Sequence, residues 1–274
     1  MADTFIHQIC YSAQSRAELD PGFIEMDNLR NERPDWREYW PIRRFLLCTA
    51  LQEDAYYGFF SPKFGAKTGL TAEDVFAFVA AQGGTADVVL FSPFFDQIAY
   101  PLNIFEQGAM QHADTMRTFR EAALCAAPGI DFDALVMDST NTVFCNFFAA
   151  RPRFWREWLE KCEALYAVAE GSPTPLAARL NASTNHDGGG VPAKVFVIER
   201  IASLMLASGT GWKVKAFNAE SLPWSGSPLG QFRLEMSFLD ALKIAYAREG
   251  HAHYLAAFHN LRRWVGEALQ PPRP

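Results

Sequence analysis

The stretch DWREYWPIRRFLLCTALQEDAYYGFFSPKF, residues 35–64, contains the clearest structural pattern of the chain. Apolar residues recur at helical spacing over residues 36–47, directly after Pro34, and proline is tolerated at a helix start. Residues 54–60 are aromatic without a helical stripe, and the proline in the Ser-Pro-Lys that follows cannot donate a hydrogen bond to a sheet. The stretch therefore predicts an amphipathic helix, a buried strand and a turn that places Lys63 at the carboxyl end of that strand.

Lys63 is the first candidate functional residue. Ligands of open α/β sheets collect outside the carboxyl ends of the strands. The Ser61 hydroxyl, a fixed proline backbone and a mobile ammonium group suit an anionic group such as a nucleotide diphosphate. The alternative is an ordinary strand end with a solvated lysine.

Length and composition favour a single globular domain. The chain has 274 residues, 49% of them hydrophobic, and can bury a large core. Only 20% of the residues are charged, and the net charge is −6. The charged residues occur in clusters of both signs along the chain, which argues against a nucleic-acid-binding protein because such a protein needs a basic face. No apolar run approaches the roughly 20 residues of a membrane span, and the first residues do not resemble a signal peptide. We therefore expect a cytoplasmic protein without a transmembrane segment.

The cysteines are five and scattered among apolar neighbours. A disulfide framework or a zinc site would need closer pairing, so we expect buried thiols instead. The five are Cys10, Cys48, Cys125, Cys145 and Cys162.

A second Ser-Pro pair supports a site at one edge of the sheet. Residues 87–91 form another apolar run that ends in Ser-Pro. If the two strands are parallel, both endings lie at the same edge. Four polar residues are then predicted along it: Ser61, Lys63, Ser92 and Asp96.

Further apolar segments complete the predicted sheet. They lie near residues 5–11, 23–25, 142–148 and, as an optional sixth strand, 213–217. The pattern predicts a single α/β domain with a central mixed sheet of about six strands and helices on both faces. Loops after strands often carry function, so Asp27 and Asn28 are candidate ligand contacts, although both could equally form turns.

Polar residues inside two apolar segments are further candidates. An unpaired buried amide costs about 1–3 kcal/mol, so Asn146 either ties the sheet to a loop or points into a pocket. Glu199 and Arg200 interrupt the apolar run 194–206. Glu199 is either a structural ion-pair partner or a general base, because an apolar setting raises the proton affinity of a carboxylate.

Two other segments have a functional and a structural interpretation. Asp131 and Asp133 form a DxD motif that can hold Mg²⁺ or Mn²⁺ with a diphosphate, but its position after Pro-Gly equally indicates a turn or a helix start. Residues 171–192, which include His186 and Asp187, form the longest irregular stretch, and loops of that length are lids or disordered segments.

Six stretches carry a family resemblance: IHQICYS, LDPGF, DN…RPDWREYWPIR, EDAYYGFFSPKFGAKTGL, TVFCNFFAARPRFWREWL and VFVIERIAS. Together they resemble a family of uncharacterised bacterial proteins from polysaccharide and glycosyltransferase clusters, over most of residues 5–262. More distantly, the order of YYGFFSPKF, NFFAARPRFWREWL and VFVIERIASLML is similar to bacterial glycosyltransferases of GT-A type.

The resemblance implies a GT-A-like domain with a Rossmann-like nucleotide side in about residues 1–125 and an acceptor side in about residues 126–270. It implies transfer of a sugar from a nucleotide-sugar donor to a glycan or lipid-linked acceptor in surface polysaccharide synthesis, with peripheral membrane association allowed. Lys63 would stabilise the leaving diphosphate, and Glu199 would be the base. The implied donor contacts are Gln8, Tyr11, Asp27, Asn28, Ser61, Ser92 and Asp96, and the implied acceptor contacts are Asn146 and Arg200.

One departure from the GT-A pattern bears on the cofactor. The residues that follow the strand at 87–90 are Phe-Ser-Pro, where metal-dependent GT-A enzymes carry DxD. The pattern therefore leaves a metal-free transfer and a Mn²⁺ or Mg²⁺ cofactor as alternatives, and a non-catalytic GT-A-like scaffold protein is the competing function. A hydrolase is a third class, but the chain has no Gly-x-Ser-x-Gly elbow.

Overall fold

The computed structural model describes residues 2–112, 115–171, 173–186, 189–209 and 211–270. These residues form a single α/β domain with a mixed six-stranded sheet flanked by helices. The six strands are β1 (Thr4–Cys10), β2 (Ile24–Asp27), β3 (Tyr56–Phe60), β4 (Val88–Leu90), β5 (Phe148–Ala150) and β8 (Val214–Ala216). A separate hairpin consists of β6 (Ser183–His186) and β7 (Gly189–Pro192).

The strand order in the sheet is β2-β1-β3-β5-β4-β8. Strand β5 is antiparallel to both of its neighbours, whereas the other neighbouring pairs are parallel. Strands β3 and β4 consequently run in the same direction on either side of β5. Both Ser-Pro endings therefore lie at one edge of the sheet, as the sequence predicts.

The chain path creates a crevice at this edge. From β1 the chain continues to β2 on one side, and it then returns to β3 on the other side of β1. Connections that leave neighbouring strands in opposite directions make a topological switch point, outside which ligands of α/β sheets bind. The switch point of this sheet lies between the carboxyl ends of β1 and β3.

Helices connect the strands and cover the sheet. They are α1 (Ala13–Ala17), α2 (Tyr39–Cys48), α3 (Phe64–Thr68), α4 (Ala72–Ala81), α5 (Phe95–Ala99), α6 (Ile104–Gln111), α7 (Met116–Ala126), α8 (Pro152–Glu170), α9 (Pro175–Asn181), α10 (Ala193–Ile198), α11 (Ile201–Ser208), α12 (Arg233–Glu249) and α13 (Ala252–Ala268). None of the helices described is long and apolar enough to cross a membrane.

Alternating strand residues build a core on each face of the sheet. Tyr56 and Phe60 join the core that includes Val75 of α4, whereas Tyr57 and Phe59 join the core on the opposite face. Successive strand side chains point to opposite faces, so one aromatic strand can serve both cores. The indole N–H of Trp155 in α8 donates to the Tyr57 carbonyl at 2.8 Å and fixes α8 against β3.

The predicted helix over residues 36–47 is wrong at its start. Residues Pro34–Trp36 form a 3-10 turn, Arg37 has a φ of 47°, and α2 begins only at Tyr39. The indole of Trp36 is buried and donates to Glu170 of α8 at 3.0 Å. A regular helix cannot continue through Arg37, because its positive φ lies outside the helical region, and the buried rings of Trp36 and Tyr39 pack against each other across it at 5.2 Å.

The predicted strand over residues 142–148 is also displaced, because β5 begins at Phe148. The residues before Phe148 form hydrogen bonds with side-chain hydroxyl groups, not with a neighbouring strand. Ser203 accepts from the Val143 amide at 2.8 Å, and Ser92 accepts from the Phe144 amide at 3.2 Å. The segment thus turns at the sheet edge before it enters the sheet.

Three smaller expectations need correction. Residues 171–192 are not irregular throughout, because they contain α9 and the β6–β7 hairpin, while Asp187 lies outside the described residues. The run 194–206 is two helices, α10 and α11, which meet at Glu199 and Arg200. Cys48 is exposed, so the cysteines are not all buried thiols.

Candidate functional site

A long cleft follows the carboxyl edge of the sheet and divides into three connected chambers. The first chamber has a volume of about 460 Å³ and is lined by residues that include Tyr11, Asn28, Asn31 and Arg37. The central chamber, of about 360 Å³, contains Ser61, Lys63, Lys67, Asn146 and Glu199. The third chamber, of about 730 Å³, contains Gln97, Gln107, Gln111, Ser225 and Ser227.

Shared lining residues join the chambers into one cleft. Tyr11, Arg37 and Glu38 line both the first and the central chamber. Lys67 and Glu199 line both the central and the third chamber, as Lys63 does. Tyr11 follows β1 and Lys63 follows β3, so the first and central chambers lie at the topological switch point.

The cleft is also where the backbone is strained. Five described residues other than glycine have a positive φ, and all five line the chambers: Asn31, Arg37, Phe94, Cys145 and Asn146. Such conformations cost of the order of 1–3 kcal/mol each and concentrate at functional sites, where the surrounding structure holds them. This concentration supports the cleft as the functional site.

Glu199 is the one strongly perturbed carboxylate of the central chamber. Burial raises the pKa of Glu199 to about 7, and the neighbouring negative charge of Glu38 adds to the effect. Its carboxylate makes no hydrogen bond or ion pair with any other residue that the structure describes. A carboxylate with a pKa near neutrality can take a proton efficiently at physiological pH.

Two lysines bring positive charge to the same chamber. Lys63 is exposed at the start of α3, and Lys67 lies one helical turn later, partly buried. The Lys67 ammonium lies 3.0 Å from the Cys145 sulfur. Burial acts to lower the pKa of Lys67, but contact with Cys145 and the charges of Glu199 and Glu38 outweigh burial. The pKa of Lys67 is therefore raised, and the side chain is a cation.

Asn146 offers an unused hydrogen-bond acceptor. The residue is only 4% exposed and lines the central chamber, and its side-chain oxygen has no hydrogen-bond partner among the residues that the structure describes. Asn146 and Cys145 are consecutive left-handed residues with φ values of 54° and 55°. An unpaired buried amide oxygen is costly, so a hydroxyl or N–H of a bound ligand is its natural partner.

The predicted donor contacts divide into two groups. Tyr11, Asn28 and Ser61 line the first or the central chamber. Gln8 lies behind the cleft, where its amide donates to the carbonyls of Ser61 and Pro62 at 3.4 Å and accepts from the Asp20 amide at 3.0 Å. Gln8 therefore ties the ends of β1 and β3 together. 

Asp27, by contrast, lies away from the three chambers. Its exposed carboxylate accepts from the Leu29 amide at 2.8 Å and lines a separate small depression next to α2. This is the turn-forming role that the sequence left open for Asp27.

Ser92 and Asp96 are anchors behind the cleft. The Ser92 hydroxyl donates to the Thr142 carbonyl at 2.8 Å. Asp96 is fully buried and accepts hydrogen bonds from the Ser225 amide at 2.9 Å and the Ser227 hydroxyl at 2.7 Å. Burial acts to raise the pKa of Asp96, but the hydrogen bonds, chiefly from Ser225, outweigh it and lower the pKa.

Arg200 is a buried structural link at the rim of the third chamber. Its guanidinium donates to the carbonyls of Ile104 and Phe196 at 3.1 and 2.6 Å and to the Gln107 side-chain oxygen at 3.2 Å. Burial lowers the pKa of Arg200 to about 10. Arg200 thus joins α10 and α11 to α6. It also lines the third chamber, so its predicted contact with an acceptor remains a prediction.

The DxD motif has a structural role. Asp131 accepts from the Ala134 amide at 3.3 Å at the start of a 3-10 turn, and Asp133 pairs with Arg120. Among the residues that the structure describes, no group of three or more His, Cys, Asp or Glu could hold a metal ion. The motif is the turn that its Pro-Gly context allowed.

Sequence reasoning missed several cleft residues. The sequence does carry a signal for Lys67, because it follows the candidate Lys63 by four residues and residues at i and i+4 share a helix face. Arg37 and Glu38 were assigned to a regular helix, and nothing in the sequence marked their turn as a cleft wall. The three glutamines of the third chamber were hidden because they lie on two different helices, α5 and α6.

No protein-family model, curated protein or solved structure matches the chain. The geometry of the cleft therefore has to carry the functional proposal.

Proposed function

We propose that the protein is a glycosyltransferase that moves a sugar from a nucleotide-sugar donor to a glycan acceptor. The observation that carries the proposal is the central chamber, where Glu199, with a pKa of about 7, shares one cavity with Lys63 and Lys67 at the switch point of the sheet. A base and two cations next to a nucleotide-sized chamber are what an inverting transfer needs. A GT-A-like fold is part of the proposal, and the mixed sheet is compatible with it.

The donor would span the first and central chambers. The nucleoside would lie in the first chamber against Tyr11 and Asn28, which line it together with Ile9 and Pro34. The diphosphate would then reach Lys63 and Lys67, whose ammonium groups offer charge-assisted hydrogen bonds to its oxygens. Two cations at this point can stabilise the leaving group electrostatically without a metal ion.

The transfer itself would follow from the groups in the central chamber. An acceptor hydroxyl attacks the anomeric carbon, the bond from that carbon to the diphosphate oxygen breaks, and the electron pair leaves with the diphosphate. Glu199 takes the hydroxyl proton, while Lys63 and Lys67 stabilise the charge that develops on the leaving group. This direct displacement inverts the configuration at the anomeric carbon. A lipid-linked acceptor at the cytoplasmic membrane face is compatible with the same proposal.

Calorimetric titration with a panel of nucleoside diphosphates, with and without Mn²⁺, tests the donor site. We expect one nucleoside diphosphate to bind with a 1:1 stoichiometry, and the Lys63→Met/Lys67→Met double variant to weaken that binding at least about tenfold, because a charged hydrogen bond is worth about 1.5–3 kcal/mol. If none of the nucleotides binds under either condition, the protein is a non-catalytic scaffold of the same fold.

A further inference from the structure

We propose that the third chamber is a binding site for an uncharged saccharide, whose free hydroxyl it presents to Glu199. The inference deepens the proposed glycosyl transfer by naming the acceptor class. It rests on that function only where it says that the bound saccharide is the acceptor. The observation behind it is a chain of side-chain amides that crosses the chamber between two buried charges.

The chain of amides runs from Arg200 to Asp96. The Arg200 guanidinium donates to the Gln107 oxygen at 3.2 Å, and the Gln107 amide nitrogen donates to the Gln97 oxygen at 3.4 Å. The Gln97 amide nitrogen donates in turn to the Asp96 carboxylate at 3.0 Å. Gln111 joins as a branch, since its amide nitrogen donates to the Gln97 oxygen at 3.3 Å.

The two ends fix which way every amide points. A guanidinium has only donors, so it must meet the oxygen of Gln107, and an ionised carboxylate has only acceptors, so it must meet the nitrogen of Gln97. The hydrogen bonds that lower the pKa of Asp96 keep that carboxylate ionised. Asp96 and Arg200 are thus positioning residues, which set the orientation of glutamines that would otherwise rotate freely.

The oriented amides leave a defined set of unused groups. Within the part of the chain that the structure describes, Gln111 retains one N–H and its side-chain oxygen, and Gln107 retains one N–H. The Ser227 hydroxyl, which donates to Asp96, retains its lone pairs. Donors and acceptors therefore lie side by side, which matches sugar hydroxyls because each hydroxyl both donates and accepts.

The remaining lining favours a neutral sugar over a charged one. The buried charges at the chamber wall, Arg200 and Asp96, are already engaged with protein groups. Lys63 and Lys67 lie at the junction with the central chamber, where the donor diphosphate would engage them, so a uronate or sulfate placed among Gln97, Gln107 and Gln111 would meet no free counter-charge. The desolvation of its own charge would then be uncompensated. The rings of Phe94, Phe144 and Phe196 also line the chamber and offer apolar surface to the C–H faces of a pyranose.

The chamber is also placed correctly for transfer. It holds about 730 Å³, within the range of about 300–1,000 Å³ of small-molecule sites. Lys63, Lys67 and Glu199 line its junction with the central chamber. A saccharide in the third chamber would therefore meet the base and the donor at this junction.

Saccharide binding by the complete protein tests the inference without any donor. The wild type is screened on a glycan array and by saturation-transfer NMR with neutral and anionic oligosaccharides. We expect neutral glycans to bind, and we expect Gln97→Leu, which breaks the chain of amides, and Gln111→Leu, which removes the free edge, to weaken that binding at least tenfold. Gln14→Leu, at an exposed glutamine of α1 outside the cleft, is the matched control and should bind as the wild type does.

Nucleoside diphosphate binding, measured on the same samples, separates this inference from the proposed function. Gln111→Leu should leave nucleotide affinity within twofold of the wild type, and this also shows that the variant is folded. Binding of anionic glycans alone, binding of no glycan, or unchanged glycan binding by both glutamine variants overturns the saccharide site. Glycan binding by a protein that binds no nucleotide overturns the transferase function and leaves the saccharide site standing.

Discussion

The Lys67 ammonium lies 3.0 Å from the Cys145 sulfur, between the central and the third chamber. Burial raises the pKa of the Cys145 thiol to about 11, so this partner is a neutral thiol at physiological pH. The thiol positions the ammonium group without neutralising it. Lys67 consequently keeps its charge for a ligand, in contrast to lysines that are bound to carboxylates elsewhere in the protein, such as Lys194 with Asp35.

We expect Lys67→Met to weaken the binding of the preferred nucleoside diphosphate about 10- to 100-fold, because one charge-assisted hydrogen bond is worth about 1.5–3 kcal/mol. Calorimetry measures the affinity. Lys213→Met, at an exposed lysine away from the cleft, should leave the affinity unchanged. Equal affinities for the Lys67 variant and the wild type would remove Lys67 from the donor site.

Glu199→Gln should produce a folded protein that binds nucleotide normally and transfers sugar at least about a hundredfold more slowly, because glutamine cannot take the proton. The pH profile of the wild-type kcat should fall on the acid side of about pH 7, where Glu199 becomes protonated. Single-turnover kinetics measures both effects. Unchanged turnover by Glu199→Gln, with Glu160→Gln as the exposed control, would exclude Glu199 as the base.

The same substitution should stabilise the protein at pH 8. The pKa of Glu199 is raised from 4.5 to about 7 on folding, so the folded state holds the proton more tightly. The contribution of Glu199 to the free energy of unfolding is therefore highest below about pH 4.5. It falls by up to about 3 kcal/mol as the pH rises to about 7, and it stays low above that pH. Denaturant unfolding at pH 4.5 and pH 8 should show a gain for Glu199→Gln at pH 8 only. A loss of stability at pH 8 would instead indicate the structural ion-pair role.

Asn146 allows strain and function to be separated. Asn146→Gly suits the left-handed backbone and removes an unpaired amide, so we expect the free energy of unfolding to stay equal or to rise by about 1 kcal/mol. Asn146→Ala also loses the amide but keeps the strain, and it should be less stable than the glycine variant by about 1–2 kcal/mol. Both variants should lose ligand binding or turnover to the same degree. Full activity of Asn146→Gly would show that the amide serves no ligand.

Gly108 permits the close approach of Arg200 to α6. A Cβ atom at Gly108 would lie 2.3 Å from an Arg200 guanidinium nitrogen, so Gly108→Ala must displace that side chain. We expect a loss of about 1–3 kcal/mol in the free energy of unfolding, in spite of the better helix propensity of alanine. Gly65→Ala is the matched helical control, because its Cβ would meet its nearest neighbour at an ordinary 3.7 Å, and it should gain up to about 1 kcal/mol. Thermal or urea unfolding compares the two variants, and equal effects would contradict the close packing.

Local patterns in the sequence were sufficient for most of the elements. The two Ser-Pro strand endings are predicted from the sequence and are present in the structure, and α4 begins with a capping box of Thr71 and Asp74 that is equally local. Such features depend on residues within one or two turns of each other, so the sequence carries them directly. The same holds for Glu199, whose charge inside an apolar run already indicated an unusual environment.

Contacts between distant segments set how these elements combine. Strand β5 enters the sheet between β3 and β4, and its preceding turn brings Asn146 into the central chamber, although the residues that hold this turn, Ser92 and Ser203, lie 52 and 60 positions away from their partners. The amide chain from Arg200 to Asp96 likewise depends on a distant contact, because Arg200 and its hydrogen-bond partner Gln107 are 93 positions apart. No local pattern encodes such contacts, because they arise only when burial of the two cores brings distant segments to one edge of the sheet. The sequence therefore determined the strands and their polar endings, and packing determined which of those endings form the cleft.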